Sequence, residues 1–205
     1  MRWMLAPTAF DVDSCCVTRF TPLHAPVISG WVADQRELLW LAPATAPPLT
    51  AEKVNNWSRS EQQRFVLWHT PTRRPIGYSE LDFLQPLRDQ MWIGHFIIDP
   101  AVRGMGLGHV FASTLLNMAF DRFAAQHVLL LVFPENRAAV RCYERLGFVE
   151  TGAEVKRFDQ QPEECVLMRM LLERSRYRRL AATRMAPSPA LPFVPEAADV
   201  PISMT

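Results

Sequence analysis

A chain of 205 residues, 49% hydrophobic, has room for one domain with extensions, or at most two small domains, around a sizeable buried core. Its 22 Lys and Arg against 21 Asp and Glu leave a formal charge of +1, which removes any global electrostatic argument for a nucleic-acid partner. No apolar run is long enough to span a bilayer, so no membrane partner is expected. Cys15, Cys16, Cys142 and Cys165 lack zinc-like spacing, and no metal site is expected. With no basic segment leading into an apolar run at the N-terminus, the chain reads as cytoplasmic with free thiols.

Residues 1–14 contain Pro7 and two aspartates around Val12 and read as a loose arm. Residues 15–20 make a first strand, and residues 27–41 are expected as one helix with Trp31, Leu38 and Leu41 on its packing surface. Pro43, Pro47 and Pro48 oppose its continuation, and Thr50 caps a short helix through Trp57. This broken helix pair either flanks a pocket or forms a packed lid. Residues 65–69 and 76–84 read as a hairpin across the turn TPTRRP. The two-residue period puts Tyr78, Glu80 and Asp82 on one face. There Glu80 and Asp82 either share a solvent-filled cleft or decorate the wet face of the sheet.

Residues 92–116 organise the rest. An apolar strand over 92–98 runs through Asp99 and Pro100 into Gly104, Gly106 and Gly108, and a helical pattern begins at Leu107. The first N–H groups of a helix lack intrahelical acceptors, and a glycine-rich entry lets an anion oxygen reach them; Arg103 adds a positive charge. The competing reading is a turn that binds nothing. Gly108 is followed by His109 and Val110 rather than Lys-Ser/Thr, and the spacing is GxGxG rather than GxGxxG, so neither familiar nucleotide signature is present. Alternation places His95 with Ile93 and Ile97, opposite Trp92, Gly94, Phe96 and Ile98, which marks it as a core or second-layer residue.

Residues 128–133, VLLLVF, read as a central strand covered on both faces. Asn136 caps the next helix, which carries Ala139, Tyr143 and Leu146 on one face and ends at Gly147. Residues 148–158 and 164–172 make a last hairpin. Beyond Leu172 a basic stretch suited to a short helix gives way to a proline-rich segment, either a mobile tail or an arm packed on a partner subunit in a homodimer.

Two of these pieces carry a resemblance. Arg103-Gly104-Met105-Gly106-Leu107-Gly108 matches the R/Q-x-x-G-x-G/A motif, and residues 136–148 match N-x-x-A-x-x-x-Y-x-x-x-G-F, both as found in the GCN5-related N-acetyltransferase (GNAT) superfamily. The order of elements over residues 15–172 also resembles that α/β (α+β) fold, with residues 173–205 left as a tail. The resemblance implies a mixed central β-sheet with splayed strands flanked by helices, and acetyl-CoA as cosubstrate with its pantetheine arm along Phe96, Ile97 and Ile98. It further implies that the backbone of Arg103, Gly104, Met105, Gly106, Leu107 and Gly108 cradles the pyrophosphate, that Asn136 contacts the cofactor side of the cleft, and that Tyr143 protonates the departing thiolate.

The base is less constrained. Ribosomal-protein N-terminal acetyltransferases, which resemble the chain in this C-terminal motif, typically carry a glutamate where Leu131 stands. Arylalkylamine acetyltransferases carry histidines at the positions of Trp92 and Gly94. Glu80 acting through water is the leading substitute, beside a substrate that arrives as the free amine. The expected reaction is transfer of acetyl to a primary amine, with Trp40, Trp57, Tyr78 and Trp92 offering an aromatic acceptor pocket and Glu80 or Asp82 attracting the cationic amine. Acetylation of a protein N-terminus or lysine, and non-catalytic acyl-CoA sensing, are the alternatives.

Overall fold

The computed structural model describes residues 11–57, 63–84, 86, 88–183 and 191–195. Most of the expected N-terminal arm and two parts of the C-terminal tail, residues 184–190 and 196–205, lie outside them. Eight strands form one sheet: β1 (Cys15–Arg19), β2 (Gln63–His69), β3 (Arg74–Phe83), β4 (Gln90–Ile98), β5 (His127–Val132), β6 (Val149–Lys156), β7 (Cys165–Glu173) and β8 (Phe193–Val194). Their order is β6-β7-β5-β4-β3-β2-β1-β8. The β4–β5 and β1–β8 pairs are parallel and the rest antiparallel. This is the mixed α/β sheet with flanking helices that the sequence led us to expect.

The single helix expected over residues 27–41 is instead two, α1 (Ala25–Ser29) and α2 (Gln35–Leu41). Asp34 causes the break: its carboxylate accepts the Glu37 N–H at 2.8 Å and starts a new helix, while the buried Trp31 turns inward between the two. Helix α3 (Ala51–Asn56) begins at Thr50, whose hydroxyl accepts the Lys53 N–H. Helices α1 and α3 cover one face of the sheet, where Ile28 and Val54 pack with Val66, Trp68, Tyr78 and Ile97. The opposite face carries α4 (Leu107–Asn117) and α5 (Arg137–Leu146), and its core joins Phe111, Leu115 and Leu146 to Met91, Ile93, Val128 and Leu130.

Strand β5 departs from its expected double cover. Val128, Leu130 and Val132 are buried while Leu129 and Leu131 are only half-buried. The physical reason is that the core under α1 and α3 draws its strand residues from β2, β3 and β4 and stops short of β5. After β7, helix α6 (Arg174–Thr183) packs through Tyr177, whose hydroxyl donates to Asn117 Oδ1 at 2.8 Å. The chain then returns to the far edge of the sheet, where the Val17 N–H donates to the Pro192 carbonyl at 2.9 Å and Phe193 meets Phe65.

His24, just ahead of α1, is buried edge-on to Trp68, with Nδ1 accepting the Thr21 N–H at 2.9 Å. Burial pulls its pKa from 6.5 to about 4. The unfolded chain therefore takes up a proton that the folded chain refuses, and stability falls as pH drops from 6.5 toward about 4. The loss is on the order of 3 kcal/mol. Urea unfolding across this window should show that slope in the wild type and a flatter one in His24→Asn; equal slopes would remove His24 as its cause.

Candidate active site

Strands β4 and β5 pair only through Gln90–His127, Met91–Val128 and Trp92–Leu129. Beyond Trp92 the two strands part. Backbone groups along the open seam are left to find another partner, since buried N–H and C=O groups are costly to leave unpaired. The seam leads to the start of α4, where the carbonyl of Gly106 accepts from His109 at 3.0 Å and from Val110 at 3.2 Å. Among the described residues no protein acceptor takes the N–H groups of Gly104, Met105, Gly106, Leu107 or Gly108. Gly104 and Gly106 hold the turn at φ +81°. A row of free donors at the positive end of a helix is suited to an anion.

Arg103 places its backbone in this turn but commits its charge elsewhere. Its Nε donates to the Ile98 carbonyl at 2.9 Å, and Nη1 donates to Glu37 Oε1 at 2.5 Å. Burial raises the pKa of Glu37, but the hydrogen bonds from Arg103 and from the Ala33 N–H outweigh it and hold the carboxyl below its ordinary range. The guanidinium thus ties the turn to α2 instead of adding free charge to the entrance.

On the β5 side, Asn136 Oδ1 accepts the Ala139 N–H at 3.2 Å, so its amide oxygen is spent on starting α5. That helix presents Val140, Tyr143 and Leu146 inward. Tyr143 is 7% exposed, edge-on to Phe148 at 5.7 Å and to Phe96 at 6.3 Å. Burial, with a smaller effect from Cys142, raises its pKa and keeps the phenol protonated. Burial likewise pushes the Cys142 thiol up to about 11.

Strand β4 carries one extra residue where it passes Ser79. Tyr78 pairs with Ile97, but Glu80 pairs with Gly94, leaving His95 and Phe96 opposite a single residue of β3. His95 takes φ +43° there. The extra residue reverses the alternation: Met91 and Ile93 belong to the α4 side, and past the bulge Phe96 and Ile98 join them while Ile97 moves to the α1–α3 side. His95 is thereby freed from the strict alternation that made it a core residue. Its Nδ1 lies 2.6 Å from Glu80 Oε2, and Trp57 of the α3 C-cap stacks on its ring at 4.3 Å and 5°.

Glu80 is 2% exposed, not solvent-bathed. Its other oxygen, Oε1, accepts the Tyr78 hydroxyl at 2.5 Å and lies 3.8 Å from Arg64 Nε. Arg64 in turn donates to Tyr78 Oη at 2.7 Å and to the Val54 carbonyl at 2.5 Å, and lies 3.7 Å over the Phe20 ring. Burial beside the Glu80 carboxylate raises the pKa of Tyr78, which stays a neutral donor. Asp82 lies on the same face as Glu80 and opposite Trp92.

Three of the four candidate pocket aromatics gather around Glu80 and His95, with Trp57 meeting Tyr78 at 6.0 Å. Tyr78 is core, Trp57 covers His95, and the Trp92 indole lies against Gly94 near Glu80. Trp40 instead lies under Arg36 on α2. A cavity of about 300 Å³ opens between α2 and the β6–β7 turn, lined by Gln35, Arg36, Leu38, Thr45, Gln160 and Gln161 among others. None of its lining residues belongs to the glycine turn or the Glu80–His95 pair. Among the described residues no group of three or more His, Cys, Asp or Glu is arranged to hold a metal ion.

Comparison with known proteins finds the Acetyltransferase (GNAT) family over residues 32–148. The chain belongs to this family. Over 63 residues the chain is 30% identical to the spermine/spermidine N(1)-acetyltransferase of Bacillus subtilis and equally to a probable spermine N(1)-acetyltransferase of Bacillus subtilis subsp. natto. Each alignment covers 31% of this chain and 41% of the relative, so the chain matches about two fifths of those proteins' length. Among solved GNAT structures, the spermidine N-acetyltransferase of Vibrio cholerae in complex with CoA and spermine superposes with a TM-score of 0.67 at 21% identity, covering 80% of this chain and 98% of that one. A dodecameric structure of the Vibrio cholerae enzyme gives 0.60 at 20% identity, with 80% and 96% covered. These structures share the GNAT fold with this chain.

In the glycine turn, a Cβ at Gly104 or Gly106 would meet nothing within 4 Å, so an alanine there pays only for its left-handed backbone. Gly104→Ala and Gly106→Ala should each cost about 1–2 kcal/mol in chemical unfolding. Gly108→Ala, whose Cβ would sit at ordinary contact distance, 3.7 Å, from Ile98, should cost little.

Proposed function

We propose that the chain is an acetyl-CoA-dependent N-acetyltransferase whose acceptor is a primary amine on a small molecule of the polyamine class. The observation that carries this reading is the parted β4–β5 seam, with the unpaired N–H row of residues 104–108 at its mouth and the Tyr143 phenol on its wall. In this reading those N–H groups bind the pyrophosphate, and the backbone of Phe96, Ile97 and Ile98 pairs with the pantetheine arm. Asn136 keeps its capping role on the cofactor side. The amine attacks the thioester carbonyl, backbone donors stabilise the oxyanion, and Tyr143 gives its proton to the departing thiolate. The attacking nitrogen loses its own proton to the Glu80 network.

The polyamine assignment draws on the relatives above. We assign the transferase unit to residues 15–172, with residues 1–14 and 173–205 as extensions. Four free cysteines support a cytoplasmic setting, and no helix among the described residues is long and apolar enough to cross a membrane. Homo-oligomerisation goes with this reading, since a Vibrio cholerae relative is dodecameric, well beyond the dimer expected at first.

A panel of polyamines, monoamines and peptides, followed by CoA release and product mass, tests the acceptor. Acetylated polyamine is the expected product; a product from peptides alone would reject the small-molecule reading. Tyr143→Phe should slow transfer by roughly 100-fold or more while acetyl-CoA affinity holds. Unchanged transfer would end the proton-donor role.

A further inference from the structure

Resting on the transferase reading, the geometry points to His95 Nε2 as the atom that takes the proton from the attacking amine, with Glu80 as the residue that positions it. The carboxylate of Glu80 is buried, and its two oxygens face Tyr78 and His95, so it meets the amine only through another group. That group is the imidazole. A carboxylate 2.6 Å from Nδ1 makes Nδ1 the protonated nitrogen, which leaves the lone pair on Nε2, at the edge of the ring turned away from Glu80. The side chain is 24% exposed, and the parallel Trp57 indole fixes the plane of the ring.

Position along β4 completes the argument. His95 and Phe96 are the two residues of the bulge, and they turn to opposite sides. Phe96 meets Tyr143 and Phe111, while His95 meets Glu80 and Trp57. A thioester held along the backbone that follows therefore has Tyr143 reached through Phe96 on one side and His95 on the other. The φ of +43° at His95 is strained for an L-residue, and such strain gathers where function requires an orientation that regular structure would not give.

The step balances without any added reactant. The amine nitrogen forms the N–C bond and passes its proton to Nε2; the C–S bond breaks, and the thiolate takes the Tyr143 proton. Solvent then removes the proton from His95 and returns one to Tyr143. Among the described residues, the charged or titratable groups facing the imidazole are Glu80, then Arg64 and the neutral Tyr78 behind it, with Asp82 further along the same face of β3. The elements packed against it from α3 and β4 contribute the uncharged Trp57 and Gly94.

The test is the pH dependence of acetyl transfer in wild type, His95→Asn and Glu80→Gln, with acetyl-CoA affinity measured separately. Asparagine suits this site because it tolerates positive φ. His95→Asn should lose about 100-fold or more in kcat, bind acetyl-CoA as before, and lack the limb on which rate rises with pH. Glu80→Gln should keep that limb and lower kcat, because a neutral amide no longer fixes the ring and its tautomer, while acetyl-CoA affinity holds. Added imidazole should restore part of the rate to His95→Gly. If His95→Asn keeps the limb while Glu80→Gln loses it, Glu80 is the base itself and the proposal falls. Loss of acetyl-CoA binding in both His95 variants would make the residue structural and overturn it equally. A wild type that binds acetyl-CoA but acetylates no amine would instead sink the transferase reading, and the base role with it.

Discussion

One extra residue in β4, opposite Ser79, sets the arrangement on which the site depends. Without it, strict alternation would put His95 on the α4 side with Met91 and Ile93, and Phe96 on the side of Tyr78. With it, the apolar residues past the bulge still fill both cores: Ile97 joins Trp68 and Tyr78, while Phe96 reaches Phe111 and Tyr143. The cost is a histidine at positive φ, and burial in the surrounding cores has to hold that strain in place.

The buried carboxylate beside the bulge illustrates how a charge is kept inside a sheet. Glu80 has a hydroxyl on one oxygen, an imidazole on the other and a guanidinium just beyond, so each of its oxygens has a polar neighbour. Arg64 is itself satisfied by the last carbonyls of α3, where a cation also complements the helix dipole. Removing one member of such a group leaves another charge buried and unpaired, which costs several kcal/mol more than losing an exposed pair. The network joins α3 to the middle of the sheet beside the apolar contacts around it.

Much of this was legible in the sequence, because the signals were local. The glycine turn, the Asn136 cap, the Gly147 stop and the alternation of Tyr78, Glu80 and Asp82 each depend on a few neighbouring residues, and the structure has them where the residue types require. The partner of the Arg103 guanidinium, Glu37, lies far away in the chain and carries no mark of the contact. The place of His95 was hidden for a different reason. A bulge shifts the period by one, and Gly94 beside it does not say that a residue is added, so period-two reasoning carried across residues 92–98 puts the histidine on the wrong side. The half-exposed face of β5 was hidden as well, since VLLLVF has the same composition whether one helical layer covers it or two.

The contacts of Arg103 have a mechanical meaning beyond charge. One guanidinium holds the end of β4 through Ile98, the segment before α2 through the Trp31 carbonyl, and α2 itself through Glu37. Helix α2 is also a wall of the cavity beside the β6–β7 turn. The turn that offers its N–H groups to an anion and the wall of that cavity are therefore braced by the same side chain. Displacing either the turn or α2 therefore strains the same three contacts, to Ile98, Trp31 and Glu37.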